Sequence, residues 1–162
     1  MSKDAPRPMK ITLLTVHRLG RAPEALLAKD YAERATASGR ALGLGPVEIV
    51  EVEARKSGKG PEAEVILPHL KDAHVVCCDE HGVVRTSRDF AGRIGRLRDD
   101  GVRRLVFVIG GADGLDPTVL AAANEKLAFG PQTWPHALAR AMLAEQVYRA
   151  VTILGGSPYH RD

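Results

Sequence analysis

Residues 105–115 read Leu-Val-Phe-Val-Ile-Gly-Gly-Ala-Asp-Gly-Leu. Leu105–Ile109 is an uninterrupted apolar run, the pattern of a strand covered on both faces of its sheet. Gly110-Gly111 follows at once, and Asp116-Pro117 then supplies an N-cap and a first helical residue for a helix running to about Leu127. Working outward, Lys10–Val16, Val47–Val52, His74–Asp79 and Ala150–Leu154 also read as strands, rich in Val and Ile and bounded by Gly, Pro or charge. Helical patterns lie between them. Ala22–Arg40 carries Pro23 in its first turn, and Arg88–Asp100 has a Thr86/Asp89 capping box with Gly101 beyond its end. Pro61–Lys71 is helix-like but should stop or kink at Pro68. Alternating β and α predicts an α/β fold with a mostly parallel sheet and helices on both faces.

The 162 residues suit one domain, residues 1–162, with a sizeable core. No apolar run approaches the length that spans a bilayer, and the first ten residues lack the apolar stretch of a secretory signal. Cys77 and Cys78 are adjacent and offer no disulfide framework, so a cytoplasmic location is expected. The sequence His74-x2-Cys77-Cys78-x2-His81 invites a metal reading. Strand geometry sends Cys77 and Cys78 to opposite faces, so no metal is expected. Net charge is only +3, but seven arginines against three aspartates lie between Arg85 and Arg104. A second basic group is Arg55-Lys56-Ser57-Gly58-Lys59. Both groups suit a polyanion partner and equally suit a solvated face.

The last helix, His136–Arg149, is apolar around most of its circumference. Such a helix needs cover on more than one side, and a second copy of the chain in a homodimer supplies it. Glu145 and Arg149 interrupt the apolar surface at i, i+4 spacing, either as a structural ion pair or as site residues. The Gly110-Gly111 turn suits close backbone approach to a ligand and also suits tight packing. It does not complete a dinucleotide or phosphate-loop pattern. Phe129-Gly130-Pro131-Gln132-Thr133-Trp134 is an apolar but irregular loop, which must line a ligand or a partner unless Trp134 simply anchors the core. The chain finishes Ser157-Pro158-Tyr159-His160-Arg161-Asp162, an aromatic, an imidazole and a guanidinium together.

The phrases IGGADGL (109–115), WPHAL (134–138), LAEQVYRA (143–150) and PYHRD (158–162) together resemble the RlmH-type ribosomal RNA methyltransferases of the SPOUT class. The likeness extends from KITLLTVHRLG (10–20) to the terminus. It implies a C-terminal trefoil knot, a homodimer, and an enzyme that transfers a methyl group from S-adenosylmethionine to N3 of a pseudouridine in large-subunit rRNA, late in ribosome maturation. By position, the resemblance assigns the cofactor to Cys78, Gly110, Gly111 and Phe129, Gly130, Pro131, Gln132, Thr133 and Trp134. It assigns catalysis to Glu145, Arg149, Tyr159, His160 and Arg161, with the tail of one subunit completing the pocket of the other. The chain departs from the family at Cys78, at Ala112-Asp113 and at Ser157.

Methyl transfer to an imide nitrogen needs alignment and loss of one proton. His160 is the expected acceptor, Arg149 and Arg161 the expected phosphate holders, and His136 either a site residue or a structural one. Two other readings compete: a SPOUT enzyme acting on tRNA, and a non-catalytic RNA-binding dimer. The expected partner is rRNA within an assembled ribosomal particle, with no membrane involved.

Overall fold

The computed structural model describes residues 7–162. Residues 1–6, part of the N-terminal stretch considered above, lie outside the described residues. Five strands, β1 (Met9–Val16), β2 (Leu44–Val52), β3 (His74–Val84), β4 (Arg104–Ile109) and β5 (Glu125–Ala128), form one sheet in the order β2-β1-β4-β3-β5. Every strand pair in it is parallel. The helices are α1 (Pro23–Gly39), α2 (Lys59–Ile66), α3 (Ser87–Asp99), α4 (Pro117–Ala122) and α5 (His136–Leu154).

Period-two alternation along the strands divides the core into two layers. Ile11, Leu13, Val76 and Phe107 pack with Ala28 and Ala32 of α1, Phe90 and Ile94 of α3, and Leu143 and Val147 of α5. Leu14, Val16, Cys77, Val106 and Val108 pack instead with Ala63 and Ile66 of α2 and Val119 of α4. The sheet is therefore covered on both faces. Cys77 and Cys78 fall into opposite layers, as strand geometry requires. Burial pushes the Cys77 thiol up to about 11 and raises that of Cys78 as well. Neither thiol is poised as a nucleophile.

Local signals hold where side chains satisfy backbone donors. Thr86 Oγ1 accepts from the Asp89 N–H at 3.0 Å and starts α3. The Asp116 carboxylate accepts from the Thr118 N–H at 3.0 Å and starts α4. Pro68 does end a helix: α2 stops at Ile66 and a 3-10 turn, Leu67–Leu70, follows.

Two expectations are corrected. Ala150–Leu154 is not a strand but the last turns of α5, and Gly155-Gly156 therefore follows a helix. Val151 and Thr152 have β-branched side chains, yet Ala150 and Val151 are already aligned with the buried face of the preceding turns. Tertiary burial outweighs their small intrinsic preference. The helix closes in a Schellman arrangement, with Ser157 N–H to Thr152 O at 2.9 Å, Gly156 N–H to Ile153 O at 3.2 Å and Gly156 at φ 72°. The helix beginning at Asp116 also ends early, at Ala122. Asn124 exchanges two 2.8 Å hydrogen bonds with the backbone of Val75 and turns the chain into β5, which the sequence pattern did not reveal.

Edge strand β5 is pinned by charge. Glu125 binds His74 Nε2 at 2.5 Å and Arg93 Nε at 3.0 Å, with Arg85 Nη2 at 3.5 Å. Burial alone pushes the Glu125 carboxyl upward, but hydrogen bonds from Arg93 and His74 outweigh it and hold the pKa below the ordinary 4.5. The pairing therefore stabilises the fold fully above that ordinary value, and the contribution disappears as pH falls through the lowered folded-state value. Glu125→Gln is expected to cost roughly 2 kcal/mol at pH 7, since it removes the anion that Arg93 and Arg85 share, lowering Tm by several degrees. Thermal melts should show the gap from wild type closing as pH falls below the ordinary carboxylate value and through the lowered one.

The arginine-rich segment is largely consumed by such pairs. Arg85 binds Asp89, Arg88 binds Asp162, Arg98 binds Asp99 and the Leu42 carbonyl, and Arg104 binds the carbonyls of His69 and Lys71. Helix α5 is flanked by α1 and α3 and lies over β1 and β4, so its apolar circumference is mostly covered within one chain. Leu138, 38% exposed, and Trp134, 36% exposed, remain open near its start.

Candidate active site

A cavity of about 570 Å³ opens at the C-terminal ends of β3 and β5. This is where open α/β sheets characteristically bind ligands. Val84, Phe90, Leu127, Phe129 and Met142 give it an apolar wall, and Arg85, Ser87, Glu145 and Gln146 add polar groups. Gly130, at φ 93°, carries the chain out of β5 past the opening. Trp134 Nε1–H donates to the Phe129 carbonyl at 3.0 Å and folds the 129–134 loop back on itself. Pro131, Gln132, Thr133 and Trp134 are exposed on that loop and do not line the cavity.

Glu145 joins this cavity to the C-terminal tail. Its carboxylate takes a two-pronged pair of bonds from Arg149, Nε at 2.9 Å and Nη2 at 3.1 Å. The Tyr159 hydroxyl donates to the same carboxylate at 3.5 Å. Arg149 Nη1 meets His160 Nδ1 at 3.0 Å, and His160 Nε2 meets Asp162 at 3.0 Å. An arginine can only donate, so these partners make Nδ1 the acceptor and Nε2 the protonated nitrogen. Both ring nitrogens are thus engaged. Acting as a proton acceptor requires the imidazole to release one of them.

The tail lies on an aromatic and guanidinium stack. Tyr159 packs edge-on against Tyr148 at 4.7 Å, and Arg34 of α1 sits 4.4 Å from the Tyr148 ring centre. Arg149 lies 4.8 Å from the Tyr159 ring. Burial, assisted by Tyr31 and the Glu145 charge, pushes the Tyr159 hydroxyl up to about 12, so it acts as a donor and not as a base. Arg161 is exposed and makes no hydrogen bond or ion pair among the described residues.

Four of the five expected catalytic residues are therefore gathered in one chain: Glu145, Arg149, Tyr159 and His160. Of the expected cofactor residues, Phe129 and Gly130 line the cavity, while Cys78, Gly110 and Gly111 do not. Gly110 and Gly111 are buried in a self-closed turn, with Gly114 N–H bonded to Gly111 O at 3.1 Å. A Cβ on Gly110 would stand 2.8 Å from Leu115 and 2.9 Å from the Gly114 carbonyl, so tight packing alone demands glycine there. His136 stacks edge-on against His17 at 6.1 Å, and burial followed by the His17 and Arg140 charges lowers its pKa. Sequence reasoning missed Leu127 and Ala128, hidden by the helical reading of that segment, and also Tyr31 and Arg34. The only signal for the latter pair was their i, i+3 spacing on α1.

An open parallel sheet with a cavity at its strand ends and a charged cluster on the last helix is an α/β architecture built to bind a ligand. Solved structures of that kind share the fold. A probable methylase family protein from Haemophilus influenzae Rd KW20 superposes with TM-score 0.53 at 14% identity, covering 95% of this chain and 71% of that one. A probable methyltransferase from Bordetella pertussis Tohama I gives TM-score 0.50 at 13% identity, covering 88% and 96%. The chain belongs to the SPOUT methyltransferases: the family model described as "Predicted SPOUT methyltransferase" matches residues 9–160. Curated relatives named ribosomal RNA large subunit methyltransferase H include one from Caulobacter sp. (strain K31), 79% identical over 95% of this chain and all of that protein. Another, from Caulobacter vibrioides (strain ATCC 19089 / CIP 103742 / CB 15), is 74% identical over 95% of this chain and 99% of that protein.

Proposed function

We propose that this chain methylates N3 of a pseudouridine in large-subunit ribosomal RNA, late in ribosome maturation, as a cytoplasmic homodimeric domain with a knotted C-terminal half. The observation that carries this reading is Glu145, which lines the apolar cavity and also anchors Arg149 and Tyr159 of the terminal cluster. The names of the curated relatives support the ribosomal substrate.

The cavity fits S-adenosylmethionine by chemistry. An apolar wall with a phenylalanine suits a purine, and about 570 Å³ falls in the range of small-molecule sites. When bound, that cofactor supplies an electrophilic methyl group on a neutral leaving thioether. Phe129, Gly130 and Met142 would hold it, with Leu127 and Phe90 as an apolar side of the cavity. The chain's remaining task is to align a nucleobase and take one proton. Arg149 fixes Glu145 and holds His160 in a defined tautomer. Once the tail engages RNA, His160 Nδ1 is released to accept the imide proton. Trp134 and Leu138, exposed near the start of α5, are suited to a contact with a second copy, which brings a neighbouring tail to the cavity.

RNA affinity is expected to come from the 55–59 loop more than from α3, whose arginines are mostly paired. Arg55, Lys56 and Lys59 make no ion pair among the described residues. Binding to ribosomal particles should weaken steeply with salt, and Lys56→Ala with Lys59→Ala should flatten the salt slope by about one unit each. Function itself is tested by nucleoside mapping of rRNA from a deletion strain. Loss of one N3-methylpseudouridine from large-subunit RNA is expected. An unchanged rRNA map with a tRNA methylation missing would move the substrate to tRNA, and no change in either would favour a non-catalytic binder.

A further inference from the structure

Ser87, the first residue of α3, and Gln146 of α5 meet on the cavity wall, 59 residues apart in sequence. Ser87 Oγ stands 2.8 Å from Gln146 Oε1, and Gln146 Nε2 donates to Glu145 Oε1 at 3.1 Å. A carboxylate only accepts, so the amide must turn its nitrogen to Glu145 and its oxygen to Ser87. The Ser87 hydroxyl must then donate. A helix does not supply the Glu145–Gln146 bond by itself, because consecutive residues point about 100° apart around its axis. A second element holds it: Thr86 Oγ1 accepts from the Asp89 N–H at 3.0 Å, starts α3 and places Ser87 at the cavity.

Glu145 is thereby saturated. Its Oε1 takes Arg149 Nε at 2.9 Å and Gln146, and its Oε2 takes Arg149 Nη2 at 3.1 Å and the Tyr159 hydroxyl at 3.5 Å. These donors fill the about four lone-pair sites of a carboxylate. Glu145 therefore works by holding Arg149 and Tyr159, and Gln146 is the donor that holds it from the cavity side.

We propose that Gln146, seated by Ser87, is a positioning residue for methyl transfer: it ties the cavity wall to the carboxylate around which Arg149, Tyr159 and His160 are arranged. This inference rests on the reading that the cluster serves methyl transfer. Ser87→Ala leaves the amide oxygen without its donor, and the amide is then free to turn that oxygen toward Glu145, where two acceptors repel. Ser87→Thr keeps the hydroxyl. Gln146→Ala removes the tie, and Gln146→Glu replaces a donor by a second anion beside Glu145. The charged and titratable groups around that position are Glu145, Arg149, Tyr159 and His160 of the cluster and Arg85 on the cavity wall.

Three measurements on the full-length protein test it: single-turnover methylation of ribosomal particles, calorimetric titration with S-adenosylmethionine, and the side-chain amide NMR signals of Gln146 without cofactor. Ser87→Ala and Gln146→Ala should each lower turnover roughly tenfold, with Kd within about threefold of wild type. The double variant should be no worse than Gln146→Ala alone. Ser87→Thr should stay within about threefold of wild type in turnover. In Gln146→Glu the deficit should shrink as pH falls from about 8 to about 6, because a protonated carboxyl again donates to Glu145. A merely structural loss would not follow pH in that way. One Nε2 proton of Gln146 should lie downfield in wild type and Ser87→Thr, and return to the position of a solvated glutamine in Ser87→Ala. If Gln146→Ala fails to fold, Ser87→Ala against Ser87→Thr decides. A neutral Ser87→Ala, additive losses, or losses confined to Kd overturn the proposal. An unchanged Gln146 amide signal in Ser87→Ala overturns it without recourse to activity. A wild type that binds no S-adenosylmethionine and methylates no ribosomal particle refutes the functional reading instead, and with the amide response intact the tie is then only structural.

Discussion

Removal of Tyr159–Asp162 is expected to lower methyl transfer by roughly 10³-fold while the fold and the cavity survive. The four residues supply no strand or helix, and the cavity is lined by residues between Val84 and Gln146. Their loss removes the Tyr159 hydroxyl from Glu145, the imidazole from Arg149, and the anionic partner of Arg88. These are positioning and proton-handling losses, so kcat should fall and the Kd for S-adenosylmethionine should stay within a few fold. Single-turnover methylation of ribosomal particles, with calorimetry on the same protein, checks both halves. Near-normal turnover from the shortened chain would remove the tail from the mechanism.

Arg149→Ala should cost roughly 10²-fold to 10³-fold in turnover, with little change in cofactor affinity. Arg149 is the hub of the cluster: it donates twice to Glu145, once to His160, and stacks on Tyr159. Without it Glu145 loses both strong donors and His160 loses the contact that fixes its tautomer. Arg149→Lys should recover little, because an ammonium cannot span both carboxylate oxygens and reach the imidazole at once. A lysine variant with wild-type turnover would show that charge alone matters there.

The fold was legible wherever burial and local chemistry agreed. Leu105–Ile109 and His74–Asp79 read as covered strands because both faces of the sheet carry helices, and Thr86 and Asp116 marked helix starts by capping chemistry. Legibility ended where tertiary packing opposed local preference. Val151, Thr152 and Ile153 are strand formers drawn into α5 by the core beneath it. Glu125–Ala128 is too short for its period to declare itself, and its identity as a strand comes from residues distant in sequence: His74 and Arg93, which bind Glu125, and Val75, which binds Asn124. Within the site, Glu145 and Arg149 could be paired from their spacing, and the tail residues from their chemistry. Outside the cavity, nothing near residue 62 announces that the Glu62 carboxylate meets the Gly111 N–H at 3.0 Å.

The contacts of Tyr159 and His160 described above lie within one chain, whereas the proposed homodimer brings the tail of one chain to the cavity of the other, and subunit mixing tests that proposal. One inactive chain lacks Tyr159–Asp162. The other keeps its tail but carries Gly130→Val, a β-branched residue forced into left-handed backbone beside the cavity. Each is assayed alone and as a purified, differently tagged heterodimer. If the tail of one chain closes the cavity of the other, the heterodimer holds one complete site and should recover about half of the wild-type activity per dimer. If each tail serves its own cavity, as cis contacts within one chain would have it, neither site is complete. A heterodimer as inactive as its two parents would contradict the account.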